Sequence, residues 1–292
     1  MLPGGSLINY SDGLAGEFSL GLSFENEQLD SPLYGTDPIP NYNKERTLSS
    51  SLTLIANYGI TDYFWITGYL PYKNVVNEKV LFRGQNLNQY DGGKYFREAY
   101  GIGDIVIQTR IQPPNLKLLG LPMTFGIGVK LNTGKINAMD IYGERISDNL
   151  QVGTGTIDPV LSIYTSKDKG NLNYSGGIFT RISNGENIYG YKYGNEIQTI
   201  INIDYLQPAF VYGGIQFSHL LTTRDHYEYG KIARDRGGQS LLFAAKIGTR
   251  VSDRFDIEMT IQKPIYYNLN EAQLTAPLSI QVGSLYKFLR DE

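Results

Sequence analysis

The sequence predicts an all-β protein, a transmembrane antiparallel up-and-down β-barrel of about twelve strands with both termini in the periplasm. Three observations predict this fold: long segments that alternate apolar and polar residues, connections that separate into a long and a short class, and an apolar face almost without charge. The segments run to about eleven residues, and a strand of that length tilted by about 45° spans roughly 25 Å. That height matches the apolar band of an outer-membrane barrel.

The composition allows a large folded protein and excludes several chemistries. Of 292 residues 41% are hydrophobic, yet no apolar run approaches the roughly eighteen residues that a transmembrane helix needs. The absence of cysteine excludes a disulfide scaffold, a cysteine-ligated metal and a cysteine nucleophile. A net charge of -3 with mixed signs argues against a nucleic-acid partner. No cofactor or metal site is predicted.

The start of the chain shows no signal peptide, because Met1 leads into Leu2-Pro3-Gly4-Gly5 without a basic region or a long apolar core. We interpret the sequence as a mature chain of the bacterial outer membrane, although this feature alone leaves a cytosolic protein open. Residues 1–13 are expected to form a periplasmic N-terminal lead or plug. Residues 14–289 are expected to form the transmembrane barrel.

The strands follow from apolar-polar alternation with a period of two residues. The fifth segment is among the clearest, because Phe125, Ile127 and Val129 alternate with small or polar residues. The third is the weakest, since it is apolar on both faces. In chain order the predicted strands lie at about 14–25, 47–58, 63–72, 104–112, 121–132, 156–166, 172–182, 196–206, 209–220, 240–251, 255–262 and 277–288.

The connections between these strands alternate in length. The links after odd-numbered strands are long, at 26–46, 73–103, 133–155, 183–195, 221–239 and 268–276. The links after even-numbered strands are short, at 59–62, the Pro113-Pro114 turn, 166–171, 207–208 and 252–254. Outer-membrane barrels have long extracellular loops and short periplasmic turns. This sorting predicts that the end with the long loops faces the medium and the end with the short turns faces the periplasm.

Charges are distributed between the two faces of the strands very unequally. If the apolar face meets lipid, nearly all strand charges face the interior; Lys263 is an exception, placed near the rim or beyond a bulge at Pro264. A lipid-facing Lys or Arg costs about 2–4 kcal/mol at mid-bilayer. The candidate lumen-lining residues are Asp104, Arg110, Lys130, Asp158, Tyr164, Phe179, Arg181, Asp204, Phe210, Tyr212, Lys246, Arg250 and Glu258.

Part of the chain resembles the phenol meta-pathway transporter family of outer-membrane proteins. The matching stretches are Gly59-Ile60-Thr61-Asp62, Leu70-Pro71-Tyr72, Gly101-Ile102-Gly103-Asp104, Lys130-Leu131-Asn132-Thr133-Gly134 and Gly153-Thr154-Gly155-Thr156 with Asp158. They fall within about a third of the chain, and Asn132 stands where the family often has proline. The resemblance implies a barrel more firmly than a substrate, and no catalytic or binding residue is carried over from it.

These features lead us to expect a channel or facilitator for passive passage of small solutes, with aromatic or amphipathic compounds as one class. The expected partners are outer-membrane lipids, lipopolysaccharide and a small-molecule solute, while the oligomeric state stays open. One alternative is a sealed structural or surface-interaction barrel, whose inward charges form an internal salt-bridge network. Another is an enzyme at the rim that uses Asp225, His226 and Asp235. We predict that the protein is not an enzyme.

Overall fold

The alternating segments fold into one antiparallel sheet that closes on itself. The computed structural model describes residues 15–81, 93–118, 120–206 and 211–288. The predicted count of twelve strands is confirmed; they are β1 (Phe18–Leu29), β2 (Arg46–Thr61), β3 (Phe64–Leu81), β4 (Gly93–Ile102 and Val106–Ile111), β5 (Thr124–Lys130), β6 (Asp158–Lys169), β7 (Leu172–Arg181), β8 (Glu196–Leu206), β9 (Val211–Thr222), β10 (Gly238–Ser252), β11 (Phe255–Leu269) and β12 (Ser279–Phe288). Among the described residues, no helix has the length and apolar character to cross a membrane.

The first strand closes the barrel. Phe18 pairs with Tyr58 of β2 on one side and with Phe288 of β12 on the other. An open sheet would leave unpaired N–H and C=O groups along two edges, and each such group costs several kcal/mol in hydrocarbon. Closure therefore removes the edges that would make a sheet of this size unstable in a membrane.

The fourth strand is built from two segments that pair with the same neighbour. Phe64–Tyr69 of β3 pairs with Val106–Ile111, and Tyr72–Leu81 pairs with Gly93–Ile102. The prediction of a loop over 73–103 is therefore wrong for 73–81 and 93–102, which form a hairpin whose first strand also pairs with Arg46–Ser51 of β2. On the outward face of this hairpin, Asn74 and Glu78 interrupt the apolar pattern used to find strands. The predicted loop residues 82–92 lie outside the described range.

The sorting of links is confirmed with one correction. The links 62–63, 170–171 and 253–254 are short and share one end of the barrel, called here the short-turn end. The opposite, long-loop end carries the longer links. The predicted Pro113-Pro114 turn is instead a link over 112–123 that contains a small ladder between Lys117–Leu118 and Leu121–Pro122. The fifth strand begins after Pro122, because proline has no N–H to donate to a barrel partner.

The barrel has its polarity reversed relative to a water-soluble protein. Leu22, Phe24 and Ile201 point outward and stay about half exposed, whereas Thr67 and Asn202 point inward and are almost fully buried. An apolar patch of the lumen wall is the main departure, formed by Ile55, Tyr69, Val106 and Val160. Lys263 lies on the outward side beside the predicted bulge, where Leu242 pairs with Pro264 and the neighbouring Leu241 pairs with Tyr266.

Residues 1–14, 207–210 and 289–292 lie outside the described range. The predicted N-terminal lead or plug over 1–13 therefore stays a prediction, as do the first and last residues of the barrel domain 14–289. The predicted turn at 207–208 also falls there.

Candidate functional site

The candidate site is the barrel lumen, and its most connected part lies at the long-loop end. Lys130 at the end of β5 is within 2.9 Å of Asp104 and 3.3 Å of Asp158, measured from its Nζ to the carboxylate oxygens. Arg181 at the end of β7 contacts Asp158 at 2.9 Å and Glu196 at 3.0 Å. These five charges form one continuous chain across four neighbouring strands and the break in β4, called here the mouth cluster.

Backbone groups complete the mouth cluster. Asp104 accepts hydrogen bonds from the N–H groups of Gly134 and Thr154, each at 2.9 Å. Asp158 accepts one from the N–H of Asn184 at 3.1 Å, and Arg181 donates to the carbonyl of Gly194 at 2.9 Å. Buried charges are tolerated when they are both paired and hydrogen-bonded. The cluster therefore satisfies its own charges and holds two loops, 131–157 and 182–195, at the mouth.

The stretches that carry the family resemblance converge at Asp104. The Gly101–Asp104 stretch supplies the carboxylate, Lys130–Gly134 supplies the ammonium and one N–H, and Gly153–Thr156 supplies a second N–H. Gly134 and Gly153 also meet directly, since a Cβ added at Gly134 would lie 2.6 Å from the Cα of Gly153. Glycine is required at this crossing because the two backbones leave no room for a side chain. The motif therefore anchors the 131–157 loop.

The 131–157 loop folds inward over the lumen. Its Ile146, Leu150 and Val152 are buried against Ala99 of the β3–β4 hairpin. A single 3-10 turn at Asp148–Leu150 lies within this loop, and the hydroxyl of Tyr193 donates to the Asp148 carbonyl at 2.8 Å. Apolar burial of this kind stabilises by roughly 25 cal/mol per Å². The loop is therefore a packed cap with its own small core.

A second anchor lies in the long-loop region, at Asp225. Its carboxylate accepts hydrogen bonds from the hydroxyl of Tyr191 and, at 2.6 Å, from the N–H of Gly194. Burial raises the pKa of Asp225, and the same hydrogen bonds oppose that shift. Burial also raises the pKa of Tyr191, whose hydroxyl faces the Asp225 carboxylate, so this hydroxyl stays a hydrogen-bond donor. Each carboxylate oxygen of Asp225 therefore accepts one of these hydrogen bonds, and together they hold the two loops in contact.

Farther down the lumen, the predicted residues fall into two sets. On one side Arg110 donates to Gln108 at 3.3 Å and to the hydroxyl of Tyr69, while Gln108 donates to Ser162 at 2.8 Å. On the other side Lys246 lies 2.6 Å from Asp204, an ion pair in which neither of the two contacting atoms has a hydrogen-bond partner within the described chain. The lumen is thus partly filled by paired polar groups.

The predicted aromatic residues fill space left by glycine. A Cβ at Gly177 would lie 3.1 Å from Tyr164 and 3.3 Å from Phe179, and a Cβ at Gly248 would collide with the ring of Tyr212. Glu258 is buried nearby and accepts a hydrogen bond from Thr260 at 3.3 Å. Close packing of a ring on a glycine keeps both in place, because protein interiors lack spare volume.

Two predicted residues stand apart from this interior. Arg250 lies at the short-turn rim with its side chain 61% exposed and contacts Asp256 at 3.4 Å. Phe210 lies outside the described residues. The structure therefore brings Asp104, Lys130, Asp158 and Arg181 together, keeps Asp204 and Lys246 as a separate pair, and leaves Arg250 at the edge. Whether these residues act on a solute stays a prediction.

Two adjoining cavities open beneath the inward loop. One has a volume of about 390 Å³ and the other about 280 Å³. Glu25, Tyr193 and Glu196 line both, as does Asn149 at the tip of the 3-10 turn. Volumes near 300 Å³ and above are typical of small-molecule sites. Sequence reasoning missed Asn149 and Tyr193, because only the folding of two long loops brings them into the lumen.

Of the residues considered for a rim enzyme, Asp225 is engaged in contacts between loops. Asp225 is committed to Tyr191 and Gly194, and the backbone N–H of His226 donates to the carbonyl of Lys192 at 2.8 Å. A catalytic dyad requires the histidine ring within hydrogen-bond reach of a free carboxylate. Asp225 therefore supports the loop structure and is not available as a catalytic partner.

No known family model matches the chain, and no curated protein matches it. Its fold is similar to that of the COG4313 outer membrane channel from Pseudomonas putida F1, at 12% identity and a TM-score of 0.69, over 94% of this chain and 96% of that one. The CymD monoaromatic hydrocarbon channel has 7% identity and a TM-score of 0.47, covering 96% and 90% of the two chains. The NalP translocator domain from Neisseria meningitidis has 9% identity and a TM-score of 0.45, covering 94% and 89%.

The similarities to CymD and to the NalP translocator domain are too distant to bear on this chain, which leaves the similarity to the COG4313 channel as the first and informative one. The first shows a shared fold along almost the whole length of both chains. The barrel implied by the phenol meta-pathway resemblance is therefore confirmed, and the fold is that of outer-membrane barrels.

Proposed function

We propose that the protein is an outer-membrane channel that lets small solutes pass passively, including aromatic or amphipathic compounds. The observation that carries this proposal is the solute-sized space in the lumen of a closed barrel whose outer face is apolar. A surface of half-exposed leucine, isoleucine and phenylalanine is stable only against lipid. The fold shared with an outer membrane channel supports the same function.

The proposed orientation follows from the links. Long loops face the medium in outer-membrane barrels, and short turns face the periplasm. The mouth cluster and the inward loop then lie on the extracellular side, and the paired ends of β1 and β12 lie in the periplasm. A solute entering from the medium would meet the inward loop first, so this loop sets the size limit of the path.

Conduction is tested with purified protein in planar bilayers and in liposome-swelling assays with neutral solutes of increasing size. We expect small unitary currents and swelling only with the smallest solutes, because the inward loop narrows the mouth. Asp104→Asn removes the charge that holds Lys130 and weakens the acceptor for Gly134 and Thr154, so it should enlarge the current and the size limit. Asp235→Asn alters a loop carboxylate outside the mouth cluster and should leave both unchanged.

A sealed barrel is the second candidate, favoured by the paired polar groups that fill part of the lumen. It predicts neither current nor swelling for the native protein and for Asp104→Asn alike. That result would overturn the channel proposal. The same experiment therefore separates the two candidates, and neither assigns an enzymatic activity to the protein.

A further inference from the structure

The two cavities beneath the inward loop adjoin each other at the long-loop end. They share lining residues on β1, on β8 and on both loops, including Glu25, Glu27 and Tyr193. The two volumes, about 390 and 280 Å³, are each large enough for a compound the size of one aromatic ring with a short side chain. We call this space the outer chamber.

Acidic side chains outnumber basic ones around the outer chamber. The acidic lining residues are Glu25, Glu27, Asp104, Asp148, Glu196 and Asp225. The basic ones are Lys73, Lys130, Arg181 and Arg236. Most of these charges already have a partner, because Lys130 and Arg181 belong to the mouth cluster and Asp148 pairs with Arg145 at 2.6 Å. Among the described residues, Glu25, Glu27, Lys73 and Arg236 have no ion pair, and only Glu25 and Glu27 are close neighbours on one strand.

Glu25 and Glu27 lie in a neutral stretch of the wall. On the adjacent strands Glu25 faces Ser51 and Gln281, and Glu27 faces Ser49 and Ser279. Within the described part of the chain, neither carboxylate has an ion pair. The nearest strand-borne cation on the β2 side is Lys73, which is one strand farther away, opposite Ser51. Strands are about 4.8 Å apart, so two carboxylates two residues apart on one face present concentrated negative charge to the chamber.

The wall next to these carboxylates is apolar, unlike most of the lumen. Leu220, Leu242 and Leu269 line the larger cavity from β9, β10 and β11. Leu274 and Pro264 extend this surface, and the rings of Tyr193 and Tyr267 border it. The chamber thus combines carboxylates, aromatic rings and a leucine surface within one small volume.

We propose that the outer chamber binds an organic cation, a protonated amine carried on a small aromatic or aliphatic body, with Glu25 and Glu27 as the residues that select its charge. The carboxylates attract the ammonium group and the tyrosine rings add cation–π attraction. The leucines bury the apolar body. An anion of the same shape meets like charges, and a neutral analogue lacks the ionic contact. The inference rests on the proposed function, since it names the solute class that the channel favours.

The test compares three probes of one shape: benzylammonium, benzyl alcohol and benzoate. Binding to the full folded protein in detergent is measured by isothermal titration calorimetry. We expect benzylammonium to bind about tenfold more tightly than benzyl alcohol, and benzoate to bind weakest. Glu25→Gln/Glu27→Gln keeps the side-chain shape and should weaken benzylammonium about tenfold while leaving benzyl alcohol unchanged. Leu242→Ser should weaken benzylammonium and benzyl alcohol to the same degree.

The matched control is Glu98→Gln/Glu186→Gln, which removes the same charge from exposed positions outside the chamber. It should bind all three probes like the native protein. Heat-dependent mobility in detergent gels verifies that every variant is folded. Equal affinity for the three probes, no binding of benzylammonium, or unchanged affinity in Glu25→Gln/Glu27→Gln would each overturn the proposal.

Binding and conduction are separable results. If benzylammonium binds as expected but bilayers show no current, the chamber assignment stands and the channel function fails. If the protein conducts but does not distinguish the probes, the channel function stands and the chamber assignment fails. In conducting bilayers, a salt gradient should also give a cation-selective reversal potential, which moves toward zero in Glu25→Gln/Glu27→Gln.

Discussion

The two ends of the lumen hold charges of the same types in different ways. At the long-loop end, Asp158 is fully buried and contacts both Lys130 and Arg181, and it also accepts a hydrogen bond from the backbone N–H of Asn184. At the short-turn end, Arg250 and Asp256 form a single long contact, and the arginine is mostly exposed. We expect burial and shared partners, and not the mere presence of opposite charges, to decide how much each ion pair contributes.

The largest effect is expected at the centre of the mouth cluster. Asp158→Ala leaves two buried cations that each retain only one of their carboxylate partners, and removing one member of a buried pair typically costs about 3–5 kcal/mol. We expect a loss near the upper end of that range, because the carboxylate serves two cations. Urea unfolding in lipid vesicles measures it. A loss below about 1 kcal/mol would mean that the cluster resembles a surface pair.

Breaking the isolated Lys246–Asp204 pair, which lies toward the short-turn end of the lumen, should have a smaller effect. Lys246→Met leaves the Asp204 carboxylate without its 2.6 Å partner, and we expect a loss of about 3 kcal/mol in the same unfolding assay. Asp204→Asn added to Lys246→Met removes the uncompensated charge and should recover most of this loss. If the double variant is as unstable as the single one, packing and not charge explains the effect.

Loop anchoring can be weakened without touching any charge. Gly153→Ala places a methyl group against the backbone of Gly134, and overpacking of this kind costs about 1–3 kcal/mol. Because the crossing holds the 131–157 loop at the mouth, we also expect faster proteolysis within this loop. Gly143→Ala is the comparison within the same loop, since no atom lies within 4 Å of an added Cβ there. Gly143 has a positive φ, so its alanine variant carries backbone strain but no clash. Unfolding and proteolysis are measured for both variants, and equal effects would mean that the contact between Gly134 and Gly153 is not the cause.

The smallest effect is expected at the short-turn rim. Arg250→Gln removes an exposed charge from a 3.4 Å contact, and exposed pairs contribute about 0–1 kcal/mol. Unfolding should change by less than about 0.5 kcal/mol, and added salt should reduce even that difference. A change as large as that of Asp158→Ala would refute the contrast between the two ends.

The sequence alone predicted the number of strands, their approximate positions and the inward direction of most charges. This was possible because a strand between lipid and a polar interior must alternate its side chains residue by residue, which is a local signal. The signal failed at 73–81 and 93–102, where Asn74, Glu78 and Glu98 interrupt the apolar pattern of the outward side chains. It also failed at Leu121–Pro122, where alternation continues but proline interrupts the ladder.

The partners within the lumen could not be predicted in this way. Lys130 and Asp104 are 26 residues apart, and Thr154 is 50 residues from Asp104. They meet only because the strands pair in a particular register and the 131–157 loop folds back into the mouth. The sequence alone therefore determined which side chains face lipid and which face the lumen, because lipid on one side and a polar interior on the other dictate the choice at every second residue. Tertiary structure decided which charges pair and where the outer chamber opens, because both depend on barrel closure and on contacts between distant loops.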